Sequence, residues 1–531
     1  MLYGKSNEEA AHLAGTPAYA NHFQADGQKA VNGDAPWITG QQTGAKQAAP
    51  SPEDGREGPL NIFWRGQKPY EEARVGRIFN LRRPERFPAA VLNAHSVNEV
   101  VRGVKLAAER GLKIAIRSGG HSWAGLSVRN KSILIDLGNL KELSYDSATR
   151  IVTVSPSTTG GELNPYLARW GRFFGGGHCP TVGLGGFLLQ GGQGWGARGW
   201  GWACEQIDSM DVVLANGDIV TCSESVNSDL FWAARGAGPG FFGVVVRFRL
   251  RTRPIPLAMH HTTVLIPAKG NFEACSEWWF KVNRTLDPLV ESVLLSFSRK
   301  RLFPDYAKTD PTANPLDAIM VMRGTYLGDD EDEAREALAP LLQCPVLDNA
   351  IVKVVCASTS MAQEYEQQLA DNPPARYFLD NAWVHGEDKD VVQSLKAAYD
   401  IMPSEESFFL IYSMAPLRPL PDMAFDIQSE HYAAGYIINK ASEGGDDQEG
   451  DQRCQEWLKT VFSGLDERGG KSGGTIGQYT GDTELTRRPS KFMSDEHWSK
   501  FCEIKKKYDP NDSFSWYMNV EGYQVNEAAR N

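Results

Sequence analysis

A chain of 531 residues is longer than one hydrophobic core normally serves, so its length predicts two domains. A formal net charge of −11, with 41% hydrophobic and 10% aromatic residues, describes a soluble globular chain and excludes nucleic acid or an anionic membrane as its main partner. Glycine is the outlier: 52 residues, many clustered between Gly160 and Gly243, a placement expected of backbone laid against a ligand.

The opening "MLYGKSNEEAAHLAG" has neither the basic nor the apolar stretch of a signal peptide. No apolar run approaches the roughly 20 residues of a membrane span. Eight cysteines without CxxC spacing point to reduced thiols, so a cytoplasmic setting is expected. Residues 1–55 are rich in Ala, Gly, Gln and Pro and read as an N-terminal arm.

Regular patterning is read from Asn80 onwards. "PAAVLNA" predicts a strand, and "SVNEVVRGVKLAAERGL" a helix capped by Ser96 and stopped at Gly111. "KIAIRSGG", "SILIDLG" and "RIVTVSPS" are further strands, an order that suggests an α+β layer architecture. "IDSMDVVLANGDIVTCS" is a strand pair about Asn216-Gly217. "DLFWAARGAGPGFFGVVVRFRLRTRP" is a short helix, a glycine turn and a long strand. Past Pro254, strand-like runs ("HTTVLIP", "SVLLSFSR", "DAIMVMRGTYLG") alternate with helix-like ones ("DEDEAREALAPLLQ", "DVVQSLKAAYDIM"), predicting an antiparallel sheet backed by helices. The acidic "GDDEDEAREAL" reads as a solvated helix start. An acidic loop and helix follow at "SEGGDDQEGDQRCQEWLKTVFSGL", and the tail helix "DEHWSKFCEIKKKY" ends where Asp509-Pro510 cannot continue it.

Two stretches carry chemistry. In "RSGGHSWAGLS" a strand runs into a turn where the N–H groups of Ser118, Gly119 and Gly120 could form an anion-binding nest, although a plain tight turn has the same pattern. No Gly-Lys-Ser/Thr follows, so it is not a Walker loop. "GGGHCPTVGLGGFLLQGGQGWGARGWGWA" is a succession of glycine turns that lacks the strand–GxGxxG–helix grammar of a Rossmann site. His121, His178 and Cys179 offer three zinc-type ligands without a fourth at familiar spacing, so no metal is expected. A Cys–His hydrolase would need a thiolate-activating environment that the sequence does not display.

Taken together, "RSGGHSWAGLS" and, with Cys179 58 residues after His121, "GHCPTVGLGGFLLQGGQG" resemble the berberine bridge enzyme-like FAD-linked oxidoreductases. These belong to the vanillyl-alcohol oxidase/p-cresol methylhydroxylase (PCMH) superfamily. "DVVLANGDIV", "SDLFWAARGAGPGFFGVVVRFRL" and "KKKYDPNDSF" stand in the family's order. The resemblance implies a two-part PCMH-type FAD-binding domain (56–258 and a returning segment 475–531) around a substrate-binding domain (259–474). It implies bicovalent FAD, attached through His121 and Cys179. Arg117, Ser118, Gly119, Gly120 and Ser122 would cradle the pyrophosphate. Thr181, Val182, Gly185, Gly186, Gly191, Gly192 and Gly194 would line the ribityl chain and ring. Ile207, Gly243 and Val244 would sit near the adenine.

The activity implied is hydride transfer from an alcohol, sugar, phenolic or natural-product substrate to FAD. A small Val182, three residues after Cys179, resembles the oxygen-reactive members, which favours molecular oxygen as acceptor and hydrogen peroxide as product. A dehydrogenase with another acceptor, or a flavoprotein cyclase of secondary metabolism, is the alternative. The family's catalytic Tyr in "Y.N" is matched by Tyr479 of "GQYTGD", with Gly481 where Asn is usual. Tyr412, His431 and Tyr436 on preceding strands are substrate-side candidates. The ending "FSWYMNV" also departs from the family's usual Gln-containing finish.

Overall fold

The computed structural model describes residues 58–426, 431–439, 447–469, 473–477 and 493–517. Regular structure begins before Asn80, with strand β1 (Ile62–Trp64) and helix α1 (Tyr70–Val75), both too short to leave a periodic pattern. β1 pairs antiparallel with β2 (Ala90–Asn93), which extends a small sheet through two parallel neighbours, β3 (Lys113–Arg117) and β4 (Ser132–Asp136). The crossover from β2 is helix α2 (Val97–Glu109), where Ser96 accepts a hydrogen bond from the Glu99 amide at 3.2 Å. Val100, Val104 and Ala107 recur at helical spacing and are fully buried, which fixes the face that packs on the sheet.

A second, antiparallel sheet orders β5 (Leu143–Asp146), β6 (Ile151–Val154), β9 (Val244–Arg251), β7 (Ile207–Val213) and β8 (Ile219–Ser223). Helices α3 (Gly160–Ala168), α4 (Leu184–Leu189) and α5 (Ser228–Ala234) join these strands. α3 starts on a full capping box between Thr159 and Glu162.

The third sheet has eight antiparallel strands, and four helices cover one of its faces. In chain order its elements are β10 (Ala258–Pro267), α6 (Phe272–Asn283), β11 (Val290–Ser298), β12 (Ala318–Gly328), α7 (Glu331–Leu338) and β13 (Val352–Ser358). Then come α8 (Met361–Asp371), β14 (Arg376–Gly386), α9 (Asp388–Leu395), β15 (Phe408–Ser413), β16 (His431–Asn439), α10 (Gln448–Gly469) and β17 (Gly473–Gly477). The spatial order is β13-β10-β12-β11-β15-β16-β14-β17. The sheet separates two cores. One lies under α6, α7, α9 and α10, around Trp279, Leu338, Leu395 and Leu458; the other joins the opposite face to the first two sheets.

The chain then returns. Helix α11 (Asp495–Tyr508) ends before Asp509-Pro510, and the buried Asp509 carboxylate accepts the amides of Ser513 and Phe514 at 2.7 and 3.2 Å. That turn lays Phe514 along β3, where the Ile114 amide donates to the Ser513 carbonyl at 2.8 Å and the Ile114 carbonyl accepts from the Ser515 amide at 2.7 Å. α6, α8, β13 and β14 were not singled out in the sequence, although α6 buries Phe272, Cys275, Trp279 and Phe280 at helical spacing. Among the described residues, no helix is long and apolar enough to cross a membrane.

Candidate active site

A cavity of about 380 Å³ lies between the glycine turns and the uncovered face of the eight-stranded sheet. β3 delivers the first motif to it, because the chain leaves the strand at Arg117 and bends through Gly120 at φ +76° before presenting His121. The second motif crosses the first at Gly119 and Gly183. A Cβ on Gly119 would stand 2.7 Å from the Gly183 backbone nitrogen, so the two chains meet only because both positions are glycine. Ser118 joins them, its hydroxyl accepting the Gly186 amide at 3.3 Å.

This crossing brings His121 and Cys179 together. Thr181 Oγ1 lies 3.0 Å from His121 Nε2 and 3.2 Å from Cys179 Sγ, and His121 Nε2 is 3.8 Å from Cys179 Sγ. The His121 ring stacks on Phe79 at 4.1 Å and meets Trp123 edge-on at 5.6 Å. Burial holds His121 down to about 4, so its imidazole is neutral near pH 7, and burial pushes the Cys179 thiol up.

The Arg117 guanidinium is buried; Nε donates to Asp136 Oδ2 at 2.7 Å, and the two terminal nitrogens donate to the carbonyls of Arg74 and Ala73. Strand register makes the pair, since Arg117 and Asp136 are Cα partners. The Arg117 guanidinium anchors the turn, and the residue also borders the cavity.

Arg117, Ser118, Gly119, Gly120, Ser122, Val182, Gly185, Gly186 and Gly243 line the cavity, and Thr181 does not. Gly191, Gly192, Gly194, Ile207 and Val244 are not in its lining. Gly191 and Gly192 have φ of +95° and +80°, and their Cβ atoms would press on Phe425 and Ala203, so chain packing accounts for these two glycines. Ile207 and Val244 are strand residues of the core. Gln190 and Gln193 carry the lining between the glycines, and Phe514 and Ser515 extend it.

Opposite the turns stands a wall set by sheet register. One row across it is Phe297, Phe408, Tyr436 and Leu379, adjacent on β11, β15, β16 and β14. The next row places Leu295 beside Leu410, and the one after it pairs Tyr412 with Tyr432. Tyr412 and Tyr436 therefore face the cavity as expected. His431 does not: strand alternation turns it to the other face, where its ring sits 4.4 Å from that of Phe280. Burial pushes the Tyr436 hydroxyl above its ordinary value. Tyr436 also stacks on Phe408 at 4.7 Å and meets Trp123 at 5.5 Å, linking the wall to the histidine turn. Trp123, two positions after His121, was legible as an aromatic beside the motif; Gln368, Asp371 and Asn372, which line one end, come from a helix without a motif. Tyr479 lies outside the described residues.

Comparison with known proteins agrees with this geometry. Residues 88–223 match the FAD binding domain family. The chain is 36% identical over 456 residues to an FAD-linked oxidoreductase of Penicillium janthinellum, spanning 85% of this chain and 96% of that relative. It is 39% identical over 203 residues to a xylooligosaccharide oxidase of Thermothelomyces thermophilus, 38% of this chain and 40% of that one. Among solved structures, the glucooligosaccharide oxidase of Acremonium strictum, described with 6-S-cysteinyl, 8α-N1-histidyl FAD, superposes with TM-score 0.70 at 19% identity, covering 86% of this chain and 96% of that one. With its two glycine motifs crossed beneath an eight-stranded sheet, the chain belongs to the berberine bridge enzyme-like FAD-linked oxidoreductases.

Proposed function

We propose that the enzyme is an FAD-dependent oxidase that removes hydride from a small organic alcohol, sugar, phenol or related natural product, with molecular oxygen as acceptor. The observation that carries this reading is the convergence of His121 and Cys179 at the cavity, with the Thr181 hydroxyl within reach of both. The residues fit FAD. Glycine turns admit a ligand against bare backbone, a neutral imidazole and a thiol stand within 3.8 Å of each other, and the cavity runs from Ser118 to Tyr436. Residues 56–258 with 475–531 hold the cofactor, and residues 259–474 supply the substrate side. The bicovalent tether described for the fungal glucooligosaccharide oxidase supports the same assignment here, His121 and Cys179 each holding the flavin.

When bound, the flavin supplies the two-electron acceptor for the substrate hydride. The rest falls to this chain. His121 Nε2 is neutral and can accept a proton, and the Thr181 hydroxyl sits within reach of both it and the Cys179 sulfur, giving the thiol proton a path off Sγ. Phe79 and Trp123 fix the plane of the imidazole. Ser118, Gly119 and Gly120 take the anionic part of the cofactor. Tyr436, held as a neutral phenol by burial, orients substrate as a hydrogen-bond donor and is a poor base. The base is assigned to Tyr479. Val182 borders the cavity beside Cys179 and leaves oxygen room to approach.

Anaerobic mixing with a panel of alcohols, sugars and phenols, followed by admission of air, tests the reading. An oxidase bleaches the flavin band with substrate and restores it in air with stoichiometric peroxide. Restoration only by an artificial acceptor indicates a dehydrogenase, and a flavin that no substrate bleaches while product still forms indicates a cyclase.

A further inference from the structure

Resting on the oxidase reading, the lining of the sheet wall narrows the substrate. Side chains at the inward positions of β11 and β15 that line the cavity are Leu295, Phe297, Phe408, Leu410 and Tyr412, and none carries a charge or an amide. Strands β14 and β16 add Leu379, Tyr432 and Tyr436, so among the described strand residues that line this wall the polar groups are tyrosine hydroxyls. Alternation builds this surface: the lining positions lie two residues apart on four adjacent strands and their neighbours fill the second core, while beyond the lining the same faces carry Glu291 on β11 and Asn381 on β14.

Polar groups beside the wall stand on and just after the last turn of α8 and at His178, whose ring stacks on Tyr412 at 5.4 Å with Nε2 3.4 Å from Glu291. Asp371 accepts from Gln367 Nε2 at 3.0 Å and pairs with Arg301 at 3.4 Å. Asn372 donates to the Gln368 carbonyl at 3.0 Å. The Arg301 guanidinium lies over the Phe297 ring at 4.6 Å, behind the wall.

A sugar carries a hydroxyl on nearly every carbon. Pressed against Leu295, Phe297 and Leu410, those hydroxyls lose water and gain no partner, which weakens binding on the order of tenfold for each. An apolar skeleton gains from the same surface. We propose that the substrate is a hydrophobic, carbon-rich alcohol, and not an oligosaccharide. Its reacting carbon gives up a hydride and its hydroxyl a proton, leaving a carbonyl, and oxygen takes up the two electrons and two protons as hydrogen peroxide.

Binding to the oxidised holoenzyme, measured by titration calorimetry, tests the class with geraniol, perillyl alcohol and cinnamyl alcohol against xylobiose and cellobiose. At least one of the apolar alcohols binds at least tenfold tighter than either sugar. Leu410→Gln lowers that ratio at least tenfold at unchanged flavin content, whereas Leu410→Met keeps it. Sugars binding as tightly as the alcohols, no binding by any of the alcohols, or a ratio indifferent to Leu410→Gln overturns the proposal. Anaerobic bleaching of the flavin band by the same five compounds reads the oxidase assignment separately. Tight apolar binding without bleaching sinks that assignment and leaves the substrate class standing, and bleaching by sugars that also bind best does the reverse.

Discussion

The Thr181 hydroxyl stands between His121 Nε2 and Cys179 Sγ, 3.0 Å from the first and 3.2 Å from the second. A hydroxyl so placed can pass a proton between the neutral imidazole and the thiol, and valine keeps its shape without that ability. Thr181→Val is expected to retain both tethering atoms and to slow covalent loading of FAD onto apoprotein, measured as flavin fluorescence remaining on the denatured protein against time. His121→Ala and Cys179→Ala should each keep flavin attached through the other residue, and only the double variant should release it into the acid supernatant. Release from either single variant would show that one tether is not made.

Gly119 and Gly183 meet backbone to backbone, so an added methyl has no flexible neighbour to displace. Gly119→Ala is expected to cost about 1–3 kcal/mol through overpacking and to lower flavin content with it. At Gly186 a Cβ meets nothing within 4 Å. There alanine is the better helix former, and Gly186→Ala should hold or slightly raise the thermal midpoint of the apoprotein. Equal losses in the two apoprotein variants would contradict this account of the crossing.

Arg117 and Asp136 are buried strand partners, and Asp136 also accepts from Arg77 and from the Gly138 amide. Removing one member leaves an uncompensated buried charge. Asp136→Asn is therefore expected to destabilise by about 3–5 kcal/mol, read from denaturant unfolding. Arg117→Met with Asp136→Leu should recover part of that loss, since both stranded charges go together. A double variant as unstable as the sum of the singles would argue that the pair acts through its separate hydrogen bonds.

Much of the site was legible because glycine, histidine and cysteine act locally. The strand before Arg117, the Ser96 cap and the turn at Gly120 are each dictated within a few residues. The pairing of His121 with Cys179 spans 58 positions, and only the family resemblance joined them. The Arg117–Asp136 pair was not legible, because Asp136 is reached through a parallel sheet register that no local pattern encodes. The packing of Gly191 and Gly192 was not legible, because a glycine required by Phe425 or Ala203 looks the same in sequence as one required by a ligand. His431 shares its strand with Tyr436, and an odd spacing of five is enough to send the two to opposite faces.

His261 gives the fold an acid-sensitive element away from the cavity wall. It is 3% exposed on β10, with Nδ1 3.0 Å from Thr263 Oγ1, and burial together with the nearby Arg323 charge holds its imidazole down to about 2. An unfolded histidine titrates near 6.5, so at pH 7 both states are neutral and His261 adds no pH slope. Below about 6.5 the unfolded chain takes up a proton that the folded chain refuses. The stabilisation present above 6.5 is thus lost progressively as pH falls, at up to about 1.4 kcal/mol per pH unit. His261→Gln removes this proton uptake, so its unfolding free energy should fall less steeply than that of the wild type between pH 6.5 and 4, whatever the offset at pH 7. Parallel stability curves for the two proteins across that interval would exclude His261 as a source of the acid sensitivity.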